Sequence, residues 1–171
     1  MEMLSSKIRI NACRRKSVLF SEGHVGFYEK YASFVAKTLR KPLFQSFLCW
    51  LLKRENIDKD LVQDIQVRVF PLHKKNGNSL AGRWSKEGKI IIFPKSAEFY
   101  NEMAAKHGSE IARSYVKSRA WATLIHEILH SKYSSDEERV RRLTERYFNI
   151  YARNAKTEDL DSVVFEILFK R

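Results

Sequence analysis

One long, uninterrupted helical pattern constrains the fold of this chain more than any other feature. Residues 111–132 contain no glycine or proline, and alanine, leucine and glutamate, which favour helix, recur through them. Apolar residues repeat there at intervals of three and four, which is typical of a helix with one buried face. This face consists of Tyr115, Trp121, Leu124, Ile125, Ile128 and Leu129. The pattern predicts a helix at the centre of the core.

The same helix ends in the motif His126-Glu127-Ile128-Leu129-His130. Residues four apart lie one turn above each other on a helix, so both imidazoles can reach one Zn²⁺ at about 2.0–2.1 Å. Glu127 lies beside them, where its carboxylate can accept a proton from a water that zinc activates. The alternative is a pair of ordinary histidines at the border of the apolar face. We expect the zinc site, with His126 and His130 as ligands and Glu127 as general base.

The motif and the residues before it resemble the zincin metallopeptidases, over roughly residues 65–150. In zincins the two histidines bind zinc and the glutamate is the general base, which implies the same roles here. Residues 80–84 and 89–93 predict two short strands around a turn. In zincins, particularly the SprT-like group, an antiparallel edge strand before the helix holds an extended substrate by strand addition. The resemblance implies a zinc metallopeptidase acting on a protein or peptide, which would pair with the strand at 89–93.

A carboxylate is expected to be the third zinc ligand, because no histidine follows His130. This excludes the downstream histidine of SprT-like enzymes and metzincins and resembles the gluzincin type. Acidic residues follow the helix directly, although closer to His130 than most gluzincins show. In order of preference, the candidates are Glu138, Glu137 and Asp136, with Glu145 as a fourth.

A structural role for these acidic residues is the alternative. Ser135 and Glu138 have the spacing of a capping box, and acids in a first helical turn complement the helix dipole. Glu137 and Glu138 also have arginines four residues later, a favourable spacing for ion pairs. Each carboxylate taken alone is therefore explained without a metal.

Tyr133 follows His130 by three residues and is expected on the same helix face. There its hydroxyl could donate a hydrogen bond to the oxyanion of a tetrahedral intermediate, as tyrosine does in several zincins. The alternative is an aromatic residue at a helix end that packs against the core. The remaining histidines, His24, His73 and His107, are predicted to lie at the surface.

The net charge of +12 favours partners of opposite charge. Nucleic acid, acidic membranes and acidic substrates are the general classes. The cluster Arg14, Arg15 and Lys16 is the best candidate for phosphate contacts, because no acidic residue lies beside it. No nucleic-acid-binding motif is present, and a high content of Lys, Arg and Glu is also typical of thermophilic proteins. A basic, nucleic-acid-associated protein on a zincin scaffold is therefore one alternative function. A non-catalytic regulator whose fold zinc stabilises is another.

Length and composition predict one domain of α+β class. The chain has 171 residues, 44% of them hydrophobic, and no run long enough to cross a membrane. The first residues lack the apolar region of a secretory signal, so we expect a cytoplasmic protein that does not associate with membranes. Two cysteines are too few for a disulfide framework, and Cys49 is expected to be buried. The sequence specifies no oligomeric state.

The predicted architecture is a single zincin-like domain over 1–171, with a helical N-terminal part, 1–62, and a catalytic core, 65–150. A small antiparallel sheet lies beside a helical majority, and the central helix carries the HExxH motif. Strands are predicted at 7–11, 65–72, 80–84 and 89–93, and helices at 25–40, 43–54, 97–106, 111–132, around 140–151 and from about 157. The aromatic residues of the N-terminal part are expected to join the core. The predicted function is peptide-bond hydrolysis by a zinc metallopeptidase of the gluzincin type.

Overall fold

The computed structural model describes residues 4–11, 22–72, 81–155 and 162–170. Helices predominate in these ranges, beside one small sheet, so the predicted α+β class is confirmed. The helices are α1 (Glu22–Leu39), α2 (Pro42–Glu55), α3 (Ala97–His107), α4 (Ser109–Tyr133), α5 (Glu137–Asn154) and α6 (Ser162–Phe169). The strands are β1 (Ile8–Asn11), β2 (Asp64–Arg68), β3 (Gly82–Trp84) and β4 (Lys89–Ile92).

Local sequence signals set the boundaries of several helices. Pro42 begins α2, where a missing N–H costs nothing because the first helical N–H groups have no partner within the helix. Ser96 caps α3 by accepting a hydrogen bond from the Phe99 N–H at 3.2 Å. Gly108, with φ of 93°, separates α3 from α4. The reversal at Gly108 lets α3 pack back against α4.

The sheet is mixed, and the prediction of an antiparallel sheet was wrong. Its strand order is β1-β2-β4-β3, with β1, β2 and β4 parallel and only β3 antiparallel to its neighbour. Parallel neighbours need a long connection, which α1 and α2 supply between β1 and β2. Strand direction therefore depends on how the connections cross the sheet. The alternation of apolar and polar residues within a strand does not indicate in which direction the strand runs.

Helix α4 is central, as predicted. It packs against α1, α3, α5 and α6 and against β3 and β4. All six residues of its predicted apolar face are buried, and Leu124, Ile125, Ile128 and Leu129 have no exposed surface. The burial of this face fixes the rotation of the helix, and with it the direction in which His126 and His130 point.

The N-terminal helices belong to the same core. Phe44 and Leu48 of α2 are completely buried, and Cys49 retains 7% of its surface. The expectation that the N-terminal aromatic residues join the core is thus confirmed for α1 and α2 except at Trp50, which is 40% exposed, and the burial of Cys49 is confirmed. Within the residues that the structure describes, no helix is long and apolar enough to cross a membrane.

Candidate metal centre and groove

His126 and His130 lie one turn apart on α4 with their rings converging. Their Nε2 atoms are 3.1 Å apart. Both side chains are about one fifth exposed, so they lie at the border between the core and an open groove. The spacing in the sequence predicted this juxtaposition, and the buried apolar face orients it.

Glu137, the first residue of α5, completes the cluster. Its Oε1 lies 3.4 Å from His126 Nε2, and its Oε2 lies 3.2 Å from His130 Nε2. Arg141 Nε donates a hydrogen bond to Oε1 at 3.1 Å and holds the carboxylate in place. Among the described residues, these three side chains are the group of potential ligands that could hold one metal ion.

The structure places Glu137, and not the preferred Glu138, beside the two histidines. Asp136 is the residue that caps α5, since its Oδ1 accepts a hydrogen bond from the Arg139 N–H at 3.2 Å. The cap predicted at Ser135 thus lies one residue later, and this shift makes Glu137 the residue facing the histidines. Glu138 is exposed beside it, and Glu145 lines the groove outside the cluster.

A tight turn allows a ligand so close in sequence to His130. Ser134 ends α4 with φ of 47°, and its N–H donates to the His130 carbonyl oxygen at 3.0 Å. The Asp136 N–H then donates to the Tyr133 carbonyl oxygen at 3.0 Å, and α5 starts at once. The chain reverses between the two helices, which returns the first turn of α5 to the last turn of α4.

Hydrogen bonds fix the tautomer of both histidines. His130 Nδ1 lies 2.7 Å from the Ser134 carbonyl oxygen, which can only accept, so Nδ1 carries the proton. His126 Nδ1 lies 3.2 Å from Thr144 Oγ1, whose own hydrogen is donated to the Val140 carbonyl oxygen at 2.7 Å. Thr144 can therefore only accept as well. In the neutral rings, both Nε2 atoms present lone pairs to each other and to Glu137.

The donor set fits a zinc ion. Burial, together with the charge of His130, lowers the pKa of His126 to about 4, so its ring is neutral at physiological pH, as a metal ligand must be. The distances from each Nε2 atom to the other and to Glu137 are 3.1, 3.4 and 3.2 Å. Tetrahedral zinc with bonds of 2.0–2.1 Å requires donors about 3.3–3.4 Å apart. Lone pairs at this separation repel one another, and a cation between them removes the repulsion.

Glu127 is buried beside the cluster, with 6% of its surface exposed. Burial raises the pKa of its carboxyl group to about 7, while the nearby His130 and a hydrogen bond with the backbone of Trp84 act in the opposite direction. A carboxyl group with such a pKa can both accept and release a proton near neutral pH. Strand β3 lies directly over it, because a Cβ on Gly82 would be 2.9 Å from Glu127 Oε1.

An open groove of about 1170 Å³ runs past the cluster. It lies between β3, the face of α4 that carries the histidines, the start of α5 and the end of α6. Within the described ranges β3 is the edge strand, whereas β4 is paired on both sides, so the prediction that a substrate pairs with residues 89–93 was wrong. The Ala81 carbonyl and the Ser85 N–H form hydrogen bonds with β4. In an antiparallel ladder, alternate residues direct their backbone groups to opposite sides, so those of Gly82 and Trp84 face away from β4, toward the free edge.

Tyr133 does not join the cluster, and its predicted catalytic role was wrong. Its hydroxyl donates to Glu55 Oε2 at 2.5 Å, and Tyr147 donates to the other oxygen of the same carboxylate. Lys132 Nζ lies 3.4 Å from Glu55 Oε2. The carboxylate of Glu55 is almost buried and needs donors, and Tyr133 in the last turn of α4 supplies one. Packing of Tyr133 against the core, the alternative, is confirmed.

The other predicted site residues fall elsewhere. Arg14, Arg15, Lys16 and His73 lie outside the described residues, as does the side chain of His24. His107 is half-buried at the end of α3, where a surface position was predicted.

Sequence reasoning missed three residues of the site: Thr144, which orients His126, Arg141, which orients Glu137, and Arg119, on the floor of the groove. The four-residue spacing from Glu137 to Arg141 was a signal in the sequence for the role of Arg141. For Thr144, eighteen residues from its partner, the sequence contains no local signal.

No protein-family model, curated protein or solved structure matches this chain. A functional conclusion must therefore come from the geometry of the groove and the cluster.

Proposed function

We propose that this protein is a zinc-dependent peptidase of the zincin type, with His126, His130 and Glu137 as the zinc ligands. One observation carries the proposal. Two histidine Nε2 atoms without protons and a carboxylate converge within metal-ligand distance of one another, and a buried carboxyl group, Glu127, lies beside them. Structural zinc sites use four protein ligands, whereas the three that the described residues supply leave the open position of a catalytic site.

Each residue has a role in the proposed hydrolysis. When bound, zinc would supply Lewis acidity and make water a nucleophile near neutral pH. Glu127 would accept the proton of the attacking water on a carboxylate oxygen and deliver it to the nitrogen of the leaving amine. The hydrogen bonds of Thr144 and Ser134 would keep both Nε2 atoms directed at the ion, and Arg141 would keep Glu137 in position.

The free edge of β3 gives the substrate a place to bind. The N–H and carbonyl of Gly82 and the carbonyl of Trp84 face that edge and can pair with an extended peptide, which would lie along the groove over Glu127. The Trp84 N–H is already bonded to the Glu127 carboxylate. Main-chain pairing holds the peptide without reading its side chains, so it positions the bond to be cut in almost any sequence.

Two variants test this function. Glu127→Gln is expected to bind zinc as the wild type does and to lose about 10²–10⁴-fold in peptide turnover, because only the proton transfer is removed. His126→Ala is expected to lose both zinc and turnover. Zinc is measured by elemental analysis, and turnover is measured on a library of fluorescence-quenched peptides. His107→Ala, which removes a histidine outside the groove, is the control.

Two results would contradict the proposal. Wild-type turnover by Glu127→Gln would remove the general base from the mechanism. Zinc bound by the wild type, lost from His126→Ala and accompanied by no cleavage of any peptide would favour the zinc-stabilised regulator instead.

A further inference from the structure

Arg119 lies on the floor of the groove, on the same face of α4 as the histidines. It precedes His126 by seven residues, two helical turns, so the two are about 10 Å apart along the axis. Thr123, between them, lines the same groove. The face of α4 thus leads from the metal centre to a guanidinium group.

This guanidinium is buried and has no acidic partner among the residues that the structure describes. Arg119 is 5% exposed, and one terminal nitrogen, Nη1, donates to the Phe93 carbonyl oxygen at 2.6 Å. The hydroxyls of Tyr31 and Tyr115 lie near enough to the guanidinium to interact with it. The second terminal nitrogen, Nη2, is buried and has no hydrogen-bond partner among the described residues. Among the described residues, no carboxylate lies within the 4.0 Å of an ion pair with Arg119.

A second cation nearby makes the burial of Arg119 without an anion still less favourable. Lys95 lines the same end of the groove, close enough to Arg119 that the two cations repel each other. A buried charge is ordinarily paired, because desolvation without a counter-ion is strongly unfavourable. Arg119 and Lys95 together form a site of positive charge that the described part of the chain does not neutralise.

The rest of the groove is also lined by positively charged residues. Arg83, Lys86 and Arg142 line it in addition to Arg119, Lys95 and Arg141. Of its three acidic residues, Glu127 and Glu137 belong to the metal centre and its base. Away from that centre the lining is basic, so it attracts anionic ligands.

We propose that Arg119 and Lys95 form a subsite for a carboxylate of the peptide substrate, about three residues from the bond that is cut. The inference rests on the proposed function, because it takes the position of the cut from the metal centre. An extended chain advances about 3.3 Å per residue, so three residues span the distance along α4. The carboxylate is an Asp or Glu side chain or the C-terminus of the substrate, since both present the same pair of oxygens to a guanidinium.

A peptide carboxylate fits this position better than a nucleic-acid phosphate. Phosphate backbones are contacted mainly by exposed Lys and Arg side chains along a surface, and Arg119 is instead nearly enclosed. The groove also begins at a free strand edge, which pairs with a peptide backbone.

The test measures kcat/KM of the zinc-loaded wild type on quenched peptides that carry Glu or Gln at one fixed position at a time. Each peptide is made with a free and with an amidated C-terminus, which distinguishes the two sources of the carboxylate. A preference for Glu, or for the free C-terminus, of about tenfold or more is expected near the third residue from the cut. In Arg119→Met this ratio should fall to about one. Arg153→Met removes the same charge from an exposed position outside the groove and should keep the ratio.

A binding measurement separates the subsite from turnover. Glu127→Gln, with and without Arg119→Met, is titrated into fluorescein-labelled Glu and Gln peptides, and anisotropy is recorded. Zinc content and melting temperature are measured for every variant. If Arg119→Met does not fold, Arg119→Lys and Lys95→Met are expected to reduce the same ratio in both assays.

The outcomes are distinct. Cleavage with no preference between Glu and Gln, or between acid and amide, would overturn the subsite and leave the proposed function standing. Preferential, Arg119-dependent binding of the acidic peptides without any cleavage by the wild type would retain the subsite and reject the peptidase. Displacement of the acidic peptides by an unlabelled oligothymidylate at lower concentration than by the peptides themselves would overturn the carboxylate assignment in favour of phosphate.

Discussion

At the scale of single residues, the candidate metal centre depends on side chains that do not belong to the cluster itself. Thr144 is 4% exposed and uses its only hydrogen for the Val140 carbonyl oxygen, so His126 Nδ1 must donate to it. The Ser134 carbonyl oxygen imposes the same tautomer on His130. Both rings are thereby held in the form that binds a metal through Nε2, before any ion arrives.

Removing the hydroxyl of Thr144 tests this arrangement. Thr144→Val keeps the volume but removes the acceptor for His126 Nδ1–H, so zinc affinity is expected to fall about 10–100-fold. Thr144→Ser keeps the hydroxyl and should bind zinc nearly as tightly as the wild type. Affinity is measured by competition with a fluorescent chelator. Equal affinity of all three proteins would show that the hydrogen bond does not orient the ring.

Local sequence patterns predicted the histidine pair of this site, but not Glu137 as its first choice of ligand and not Arg119. The spacing of His126 and His130 specifies one face of a helix, and the apolar residues around them specify which way that face turns. Both are local properties, so the sequence contains them. The choice of Glu137 depends instead on the turn at Ser134 and on which residue caps α5, where a shift of one position changes the ligand. Arg119 was missed because its hydrogen-bond partner, the Phe93 carbonyl oxygen, is far away in the chain.

At the scale of elements, β3 lies close against α4 beside Glu127, and in the proposed function this position sets how close a substrate would come to that carboxyl group. Gly82 makes the close approach possible, because a Cβ there would lie 2.8 Å from Thr123 Cγ2 and 2.9 Å from Glu127 Cγ and Oε1. The apolar pattern of the sequence and the turn residues predicted that the strands exist, but their order and direction come from long connections that no local pattern encodes.

Adding a methyl group at Gly82 should separate the strand from the helix. Gly82→Ala is expected to lower the free energy of unfolding by about 1–3 kcal/mol, the usual cost of an overpacked contact. Gly26→Ala is the matched control: its Cβ meets nothing within 4 Å in α1, so it should stabilise the protein by about 0.5–1 kcal/mol. Urea unfolding measures both. A neutral Gly82→Ala would mean that β3 moves away without cost.

At the scale of the whole molecule, Glu55 connects three helices. It lies at the end of α2 and is bonded by Lys132 and Tyr133 of α4 and by Tyr147 of α5. Burial raises the pKa of Glu55, but the hydrogen bonds from Tyr133, Tyr147 and Lys132 outweigh it, and the pKa is lowered overall. The ionised carboxylate is therefore the form that stabilises the fold.

The sign of this shift predicts how stability depends on pH. Because the folded-state pKa is below that of the unfolded chain, about 4.3, the contribution of Glu55 is present above that pH and is lost as pH falls through the folded value. Glu55→Gln should cost about 1.5–3 kcal/mol at pH 7, as expected for hydrogen bonds to a charged group, and progressively less in acid. Urea unfolding of the metal-free proteins from pH 7 to pH 3 measures the difference.

Glu102→Gln, exposed on α3, is the control and should follow the wild type at every pH. If the stabilities of Glu55→Gln and the wild type stayed a constant amount apart over this range, the charge of Glu55 would have no part in holding the three helices together.

The reversal between α4 and α5 also bears on the order of events during folding. All three donor groups, with Thr144, lie between residues 126 and 144, in two helices joined by one turn. Closing so short a loop costs little entropy compared with pairing β1 and β2, whose partners Ile8 and Ile65 are far apart in the chain. If the proposed zinc site is correct, the helical hairpin can therefore bind the ion before the sheet has formed, and the bound ion would in turn hold the hairpin closed while the rest of the chain condenses around it.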